Sequence, residues 1–373
     1  MKPHVLLIGL DTTLFTGEKR GDFLKRLEQY SKHVKRIDAI MYTPNRNYEP
    51  VRHGKITVYP TNSASRLTFV ADVLRCSKLF MRDSKPTLIV TQDPFLTGYA
   101  GLLLKRKYGV PLSVNIYSSI FNSSYYKKEQ WYNPLLHSLA VYVVKRADGI
   151  RVECKTEADV LVKLEISRKR IAIAPVPVQL QKFVSAKPLP QYRGLAVILA
   201  AGRLSSEKDF ATLIRAAKIV EQRGAKARFL LIGGGSQEKK LKELAKQLRL
   251  SNFTFVGRVA HDQIHSYFKS ASMYVLSSIY EGVPLVSVEA SAAGLPVIST
   301  AIRDAPDVMI HGKTGIIVPI GDAKAMAHAI IRLLSDPAEA RAMGLRGQKF
   351  VKQRYNPKKN LADLMLHWRK VSA

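Results

Sequence analysis

"YVLSSIYEGVPLVSVEASAAGLPVIST", residues 274–300, reads as a strand, a loop, a helix and a second strand in immediate succession. The strand "YVLSS" ends at two serines, Glu281-Gly282 makes a turn, and Pro284 has the fixed φ suited to a first helical position. "LPVISTA" (295–301) then resumes an apolar run of strand character. Strands joined this way form a parallel sheet covered by helices. Such a junction does not need acids, yet Glu281 and Glu289 stand in it with seven residues between them.

The same alternation continues on either side. "LAVILAAGRL" (195–204), "ARFLLIGGG" (227–235), "FTFVGRV" (253–259) and "TGIIVP" (314–319) are further strands. Between them "DFATLIRAAKIVEQRG" (209–224) and "LKELAKQLRL" (241–250) repeat apolar residues at helical spacing. An earlier series, "HVLLIGL" (4–10), "TLIVTQ" (87–92), "LSVNIY" (112–117), "GIRVEC" (149–154) and "IAIAPVPV" (171–178), alternates with "RGDFLKRLEQYSKHV" (20–34) and "GYAGLLLKRKYG" (98–109). Between the series lies "VPVQLQKFVSAKPLPQYRG" (176–194), rich in proline and poor in periodicity, a candidate hinge. The expectation is an α/β protein of two domains, residues 1–182 and 183–355, facing each other across a cleft.

At 373 residues the chain can bury two cores, and its 46% hydrophobic and 24% charged residues are those of a soluble globular protein. Cys76 and Cys154, the only cysteines, give no disulfide framework and suit a reducing cytoplasm. "MKPHVLLIGLDTT" has an apolar run too short for a signal peptide, and "LLHSLAVYVV" (135–144) is interrupted by His137 and Ser138, short of the roughly 18 apolar residues of a membrane span. The net charge is +30, shared between the two halves and not gathered in a tail. No dense basic block interleaved with aromatics marks a nucleic-acid arm, so no specific nucleic acid is expected. Nucleotide phosphates or an anionic lipid surface remain as partners, as does a merely basic surface.

In an open α/β sheet, ligands bind beyond the carboxyl ends of the strands, where helix N-termini point inward. Gly282 lets backbone approach a ligand closely, and the free amides around Val283 to Leu285 would form an anion site. Two acids beside a phosphate would repel it, so hydroxyls are their expected partners: one carboxylate for a transferred sugar, the other for a ribose. Upstream, "AGRLSSEKDFATLIRAA" offers Arg203 just past a strand and Lys208 at the approach to a helix starting at Asp209. A planar guanidinium fork and a mobile ammonium would together neutralise a diphosphate. The alternative is that the two acids merely cap helices or pair with some of the abundant Lys and Arg, and that the two cations are solvated surface residues.

"AGRLSSEKD", "LLIGGGSQEKKLKELAKQLRLSNFTFVGRV", "EGVPLVSVEASAAGLPVIST" and "HGKTGIIVP" resemble the successive signatures of the retaining glycosyltransferases of family four. The resemblance extends upstream through "TQDPFLTGYAGLLLKRKYGVPLSVNIY" and "IAPVPVQLQKF" and is strongest over residues 200–320. It implies the GT-B fold, two facing Rossmann-like domains. The first would take the acceptor and be completed by residues 356–373, and the second would hold a nucleoside-diphosphate sugar. It also implies roles: Arg203 and Lys208 on the diphosphate, Glu281 on the donor sugar and Glu289 on the ribose. Backbone at Gly282, Val283, Pro284 and Leu285 would support sugar and phosphate, and Gly257, Arg258 and Val259 would border the base. The implied reaction is front-face displacement with retained configuration, acting on a glycan or lipid-carrier acceptor in the cytoplasm or at the inner membrane face. No metal or other cofactor is expected; the chain contains no Asp-x-Asp.

Two departures fall on the acceptor side. Many relatives carry a histidine after the strand that here reads "SVNIYSSIF", where this chain has Tyr117, Ser118 and Ser119; Tyr117 could donate to a sugar oxygen or simply form a wall. The family's paired-glycine loop after the first strand is replaced by isolated Gly9, Gly17 and Gly21. In "GGGSQE" (233–238) Glu238 occupies the place of a third dinucleotide-fingerprint glycine, which argues against NAD. His261 and His265 lack a zinc-protease pattern, and Asp262 between them reads as a helix cap. "YYKKEQWYNPLLHSLAVYVVKR" (125–146) interleaves aromatics and cations before an apolar run, suited to a membrane interface or to a core helix with a lysine fringe. A non-catalytic scaffold that binds nucleotide sugars or polyanions competes with the transferase, as does a sugar-nucleotide epimerase.

Overall fold

The computed structural model describes residues 2–12, 14–15, 22–44, 46–81, 84–117, 120–121, 124–176, 178–260 and 263–373. Gly17, Gly21, Ser118, Ser119, His261 and Asp262 lie outside the described residues. The chain divides into one unit of residues 1–175 with 358–373 and a second of residues 176–357. The break therefore falls seven residues before the one read from proline content. The reason is packing: Val178, Leu180 and Phe183 already belong to the second unit's core, where Phe183 meets Phe268 edge-on at 5.4 Å between ring centroids.

The first unit holds β1 (His4–Gly9), β2 (Arg36–Met41), β3 (Val51–His53), β4 (Ile56–Pro60), β5 (Leu88–Thr91), β6 (Leu112–Ile116), β7 (Gly149–Val152) and β8 (Ile171–Ile173). Their order is β3-β4-β2-β1-β5-β6-β7-β8, and only the β3–β4 pair is antiparallel. Every residue of β1 is buried, as a central strand covered on both faces requires. The β2–β4 region escapes a search for apolar runs because β2 carries Asp38, which has no exposed surface. His4 Nε2 lies 2.6 Å from its carboxylate, and the Arg36 guanidinium donates to it at 2.8 Å, so this acid is partnered inside the sheet.

The helix Pro357–Val371 closes this unit. Leu364, Met365 and Trp368 fill a core with Val5, Leu7, Leu27 and Tyr30, the Trp368 and Tyr30 rings meeting edge-on at 5.3 Å. The helix comes so near β7 that a Cβ on Gly149 would lie 2.4 Å from Val371 Cγ2 and 2.7 Å from His367 Cε1. His367 Nε2 lies 2.9 Å from Ser113 Oγ. Burial, reinforced by the Arg151 and Lys370 charges, pushes its imidazole down to about 4. The unfolded chain would bind that proton near the ordinary value of about 6.5. Stability from this site is thus full above about pH 6.5 and is lost as pH falls toward 4. His367→Gln is expected to flatten the acid side of a melting-temperature profile; an unchanged slope would refute the assignment.

The second unit holds β9 (Val197–Ala201), β10 (Arg228–Ile232), β11 (Phe253–Gly257), β12 (Met273–Leu276), β13 (Val297–Thr300) and β14 (Gly315–Val318). The strands are parallel in the order β11-β10-β9-β12-β13-β14, the doubly wound order whose direction reverses between β9 and β12. Alternate residues of β9 feed two cores. Ile198 and Ala200 pack with Leu213, Ile214, Met326 and Ile330, whereas Val197, Leu199 and Ala201 pack with Phe268, Val288 and Ala292. That explains strands apolar on both faces. Cys76 and Cys154 are free and buried. Among the described residues no helix is long and apolar enough to cross a membrane.

Candidate functional site

The candidate site is assembled where the strand order of the second unit reverses. β9 leaves the sheet through Gly202 and Arg203, and β12 leaves through Ser277 and Ser278. Gly233, at the end of β10, has φ +142°, and a Cβ there would stand 1.8 Å from the Gly202 carbonyl oxygen. No other residue permits these two exits to approach so closely. After β11, Arg258 lies over Gly234, with Nε 2.9 Å from where a Cβ would be. The exits of β9, β10 and β11 are therefore pressed together by glycines.

A short 3₁₀ turn, Ser206–Lys208, follows Arg203. Asp209 then takes a left-handed conformation, φ 41° and ψ 47°, and caps the helix Phe210–Gln222 by accepting from Thr212 Oγ1 at 2.6 Å and Thr212 N at 3.4 Å. Two bonds fasten this turn to the exit of β12: Ile279 N donates to the Glu207 carbonyl at 2.8 Å, and Ser277 Oγ donates to the Lys208 carbonyl at 2.7 Å. The result is direct. Lys208 Nζ donates to Glu281 Oε1 at 2.5 Å, and Ser278 Oγ donates to the same oxygen at 2.7 Å. Residues seventy-three apart in sequence thus form an ion pair, with the side chains 16% and 14% exposed.

Arg203 is 75% exposed and is aimed by Glu207, whose Oε1 accepts from Arg203 Nη2 at 2.9 Å and from Ser205 Oγ at 2.5 Å. Burial alone would raise the Glu207 carboxyl. Hydrogen bonds from Ser205, its own backbone and Arg203 outweigh that and hold it below the usual carboxylate range. Beneath the loop, the buried Tyr274 hydroxyl donates to the Ala201 carbonyl at 3.1 Å. Burial first, then the charges of Glu281 and Glu289, raise its phenol, so both acids act on one side chain.

The helix after the loop runs Leu285–Ala292, with Pro284 at its cap. Pro284 therefore precedes the first helical residue instead of being it. Leu285 N donates to the Val283 carbonyl at 2.8 Å, so one of the amides expected to meet an anion is already bonded. Gly257, with φ +81°, and Val259 flank Arg258 at the exit of β11. Tyr117 belongs to the first unit. Its hydroxyl accepts from Nη1 of the buried Arg151 at 2.9 Å, and the guanidinium carbon sits 5.2 Å from its ring centroid.

Lys208 and Glu281 are thus brought together, Glu289 is close enough to bear on Tyr274 as Glu281 does, and Arg203 stands at the same turn with its side chain bonded to Glu207. Sequence reading passed over Glu207, Ser278 and Tyr274. The spacing of Arg203 and Glu207, four apart, was the available signal for the first. A serine and a strand tyrosine carry none.

Comparison with known proteins covers both units. Residues 182–350 match the family model for glycosyl transferases group 1, and residues 26–182 match that for glycosyltransferase family 4. A 2-deoxystreptamine N-acetyl-D-glucosaminyltransferase of Niallia circulans is 28% identical over 165 residues, 44% of this chain and 42% of that protein. The chain spans about two fifths of the length of the first curated relatives it matches. Among solved structures, sucrose-phosphate synthase from Thermosynechococcus elongatus aligns over 99% of both chains with a TM-score of 0.83 at 21% identity. The Anabaena HepE protein in complex with UDP-glucose aligns over 98% of this chain and 99% of that one, with a TM-score of 0.75 at 17% identity.

Proposed function

We propose that this chain, which has the GT-B fold and whose two parts match the two glycosyltransferase family models, moves a sugar from a nucleoside-diphosphate sugar to a hydroxyl of a glycan or lipid-linked acceptor. The observation that carries this reading is the join of Lys208 to Glu281 at the point where the strand order reverses. Lys208 and Arg203 supply positive charge for a diphosphate, and the carboxylates Glu281 and Glu289 accept from hydroxyls of the donor sugar and the ribose. Gly257, Arg258 and Val259 border the base, and backbone at Gly282 and Val283 supports the sugar and phosphate.

Transfer proceeds with retention. The acceptor oxygen bonds to the anomeric carbon on the face from which the diphosphate leaves, the bond to the diphosphate oxygen breaks, and that oxygen takes the acceptor proton. Fixed cations stabilise the charge that develops on the leaving group, and no metal is assigned to the step. The enzyme works from the cytoplasmic face of a membrane.

The test is a panel of nucleotide sugars scored by thermal stabilisation, followed by incubation with acceptors and determination of the product's anomeric configuration. Stabilisation by one donor with an α-linked product from an α-linked donor is the expected result. Inversion would refute the front-face step. Donor binding without transfer to any acceptor would favour the non-catalytic scaffold. Glu289→Ala is expected to weaken a nucleoside by about tenfold through the lost ribose contact, read by calorimetry, and an unchanged affinity would remove that role.

A further inference from the structure

We infer that the crossover from residue 126 to residue 146 of the first unit is a docking face for an anionic bilayer surface. Trp131 is 90% exposed and Leu135 is 73% exposed, with Tyr132 beside them at 42%. An indole left almost wholly in water is uncommon on a folded protein, where such rings are usually well buried. It is also held in place: Asn133 is buried, its Nδ2 donates to the Tyr126 carbonyl at 2.6 Å, and its backbone N–H donates to the Gln130 carbonyl at 3.0 Å. The aromatic tip is thus carried on a fastened junction between the helices Ser124–Glu129 and Asn133–Arg146.

Charge chooses the occupant. Lys127 and Lys128 are exposed on the approach to the tip, and Arg146 closes the second helix beside Lys145, which is paired with Glu165 at 3.2 Å; Glu129 is the single acid within this stretch. Arg106 Nη2 donates to the Tyr142 hydroxyl at 2.8 Å and the Arg146 guanidinium lies 3.8 Å over the Tyr142 ring, so one more cation, Arg106, gathers beside this helix. An amphipathic surface with Trp, Tyr and Leu flanked by Lys and Arg suits the boundary between headgroups and acyl chains of an anionic leaflet. The helix Asn133–Arg146, at 14 residues, rests on such a surface and does not cross it. This deepens the transferase reading by placing the acceptor on a lipid, and it rests on that reading for that step alone.

The chain has two tryptophans, and the other, Trp368, is 2% exposed. A change in emission on adding lipid therefore reports on Trp131. Vesicles of phosphatidylcholine with about 30% phosphatidylglycerol are expected to shift the emission to the blue at low salt, with the effect weakened at about 1 M salt. Phosphatidylcholine alone should shift it far less. Trp131→Ser with Leu135→Ser is expected to lower flotation with anionic vesicles by roughly tenfold or more, and Lys127→Glu with Lys128→Glu to remove its salt dependence. Both variants should keep their thermal stabilisation by nucleotide sugar, which separates failure of this surface from failure of the donor reading. No blue shift on anionic vesicles would overturn the proposal. So would a concentration-dependent shift without lipid, which would mark the patch as a contact between copies of the chain.

Discussion

Glu281→Ala is expected to lower transfer by at least a hundredfold while leaving the second unit folded. Lys208 and Ser278 both donate to Oε1 of Glu281, and no donor among the described residues is recorded on Oε2. The carboxylate is thus held through Oε1, and in the proposed reading its other oxygen accepts from sugar hydroxyls. Each hydrogen bond from a hydroxyl to a charged acceptor contributes about 1.5–3 kcal/mol, so two lost together account for the predicted factor. Glu281→Gln separates the effects. It keeps an acceptor for Lys208 and Ser278 but removes the charge, so folding should be preserved and transfer still lost. Measurement is by single-turnover transfer with melting curves of each variant; full turnover in Glu281→Ala would remove the sugar role.

The second large effect concerns the cations. Arg203→Ala with Lys208→Ala is expected to weaken nucleoside diphosphate binding by about a hundredfold or more and to leave nucleoside binding nearly unchanged. Arg203 is exposed and aimed by Glu207, whereas Lys208 is engaged by Glu281 before any donor arrives. Drawing Lys208 onto a diphosphate must loosen its pair, so Lys208→Ala and Glu281→Ala should not be additive in a double-mutant cycle. Calorimetry with nucleoside, nucleoside monophosphate and nucleoside diphosphate distinguishes the outcomes. Equal losses for nucleoside and diphosphate would show that these cations do not face the phosphates. Arg203→Ala also removes a donor that holds the Glu207 carboxyl down. The stability contributed by that acid is present above the ordinary carboxylate range and is lost as pH falls through its lowered value.

Much of this site was legible because its parts lie at strand ends. Runs such as "VILAA" and "MYVL" announce themselves by hydrophobicity, and the residues after them are where ligands meet an open sheet. Arg203, Lys208 and Glu281 could be named from that rule and from family resemblance. The pairing of Lys208 with Glu281 could not, since one backbone bond and one serine hydroxyl bond between the exits of β9 and β12 create it. Glu207 was missed because an acid in "SSEKD" looks solvated until its carbonyl and carboxylate are both found engaged. In the first unit, β2 was obscured by Asp38, a buried charge partnered by Arg36 on its own strand and by His4, which reaches it only once β1 and β2 are side by side. The boundary near residue 176 was blurred because proline content marks extended backbone, whereas the core entered by Phe183 decides which unit owns it.

The helix Pro357–Val371 has a consequence for how the protein is made. On the ribosome, the eight strands of the first unit emerge before residues 176–357, and the segment bearing Leu364, Met365 and Trp368 emerges after them. At about 5–20 residues per second, the nascent first unit waits on the order of ten to forty seconds with one apolar flank uncovered. The second unit is contiguous and meets no such delay. A nascent chain halted at residue 357 should therefore yield a protease-resistant second unit beside a first unit that holdase chaperones retain.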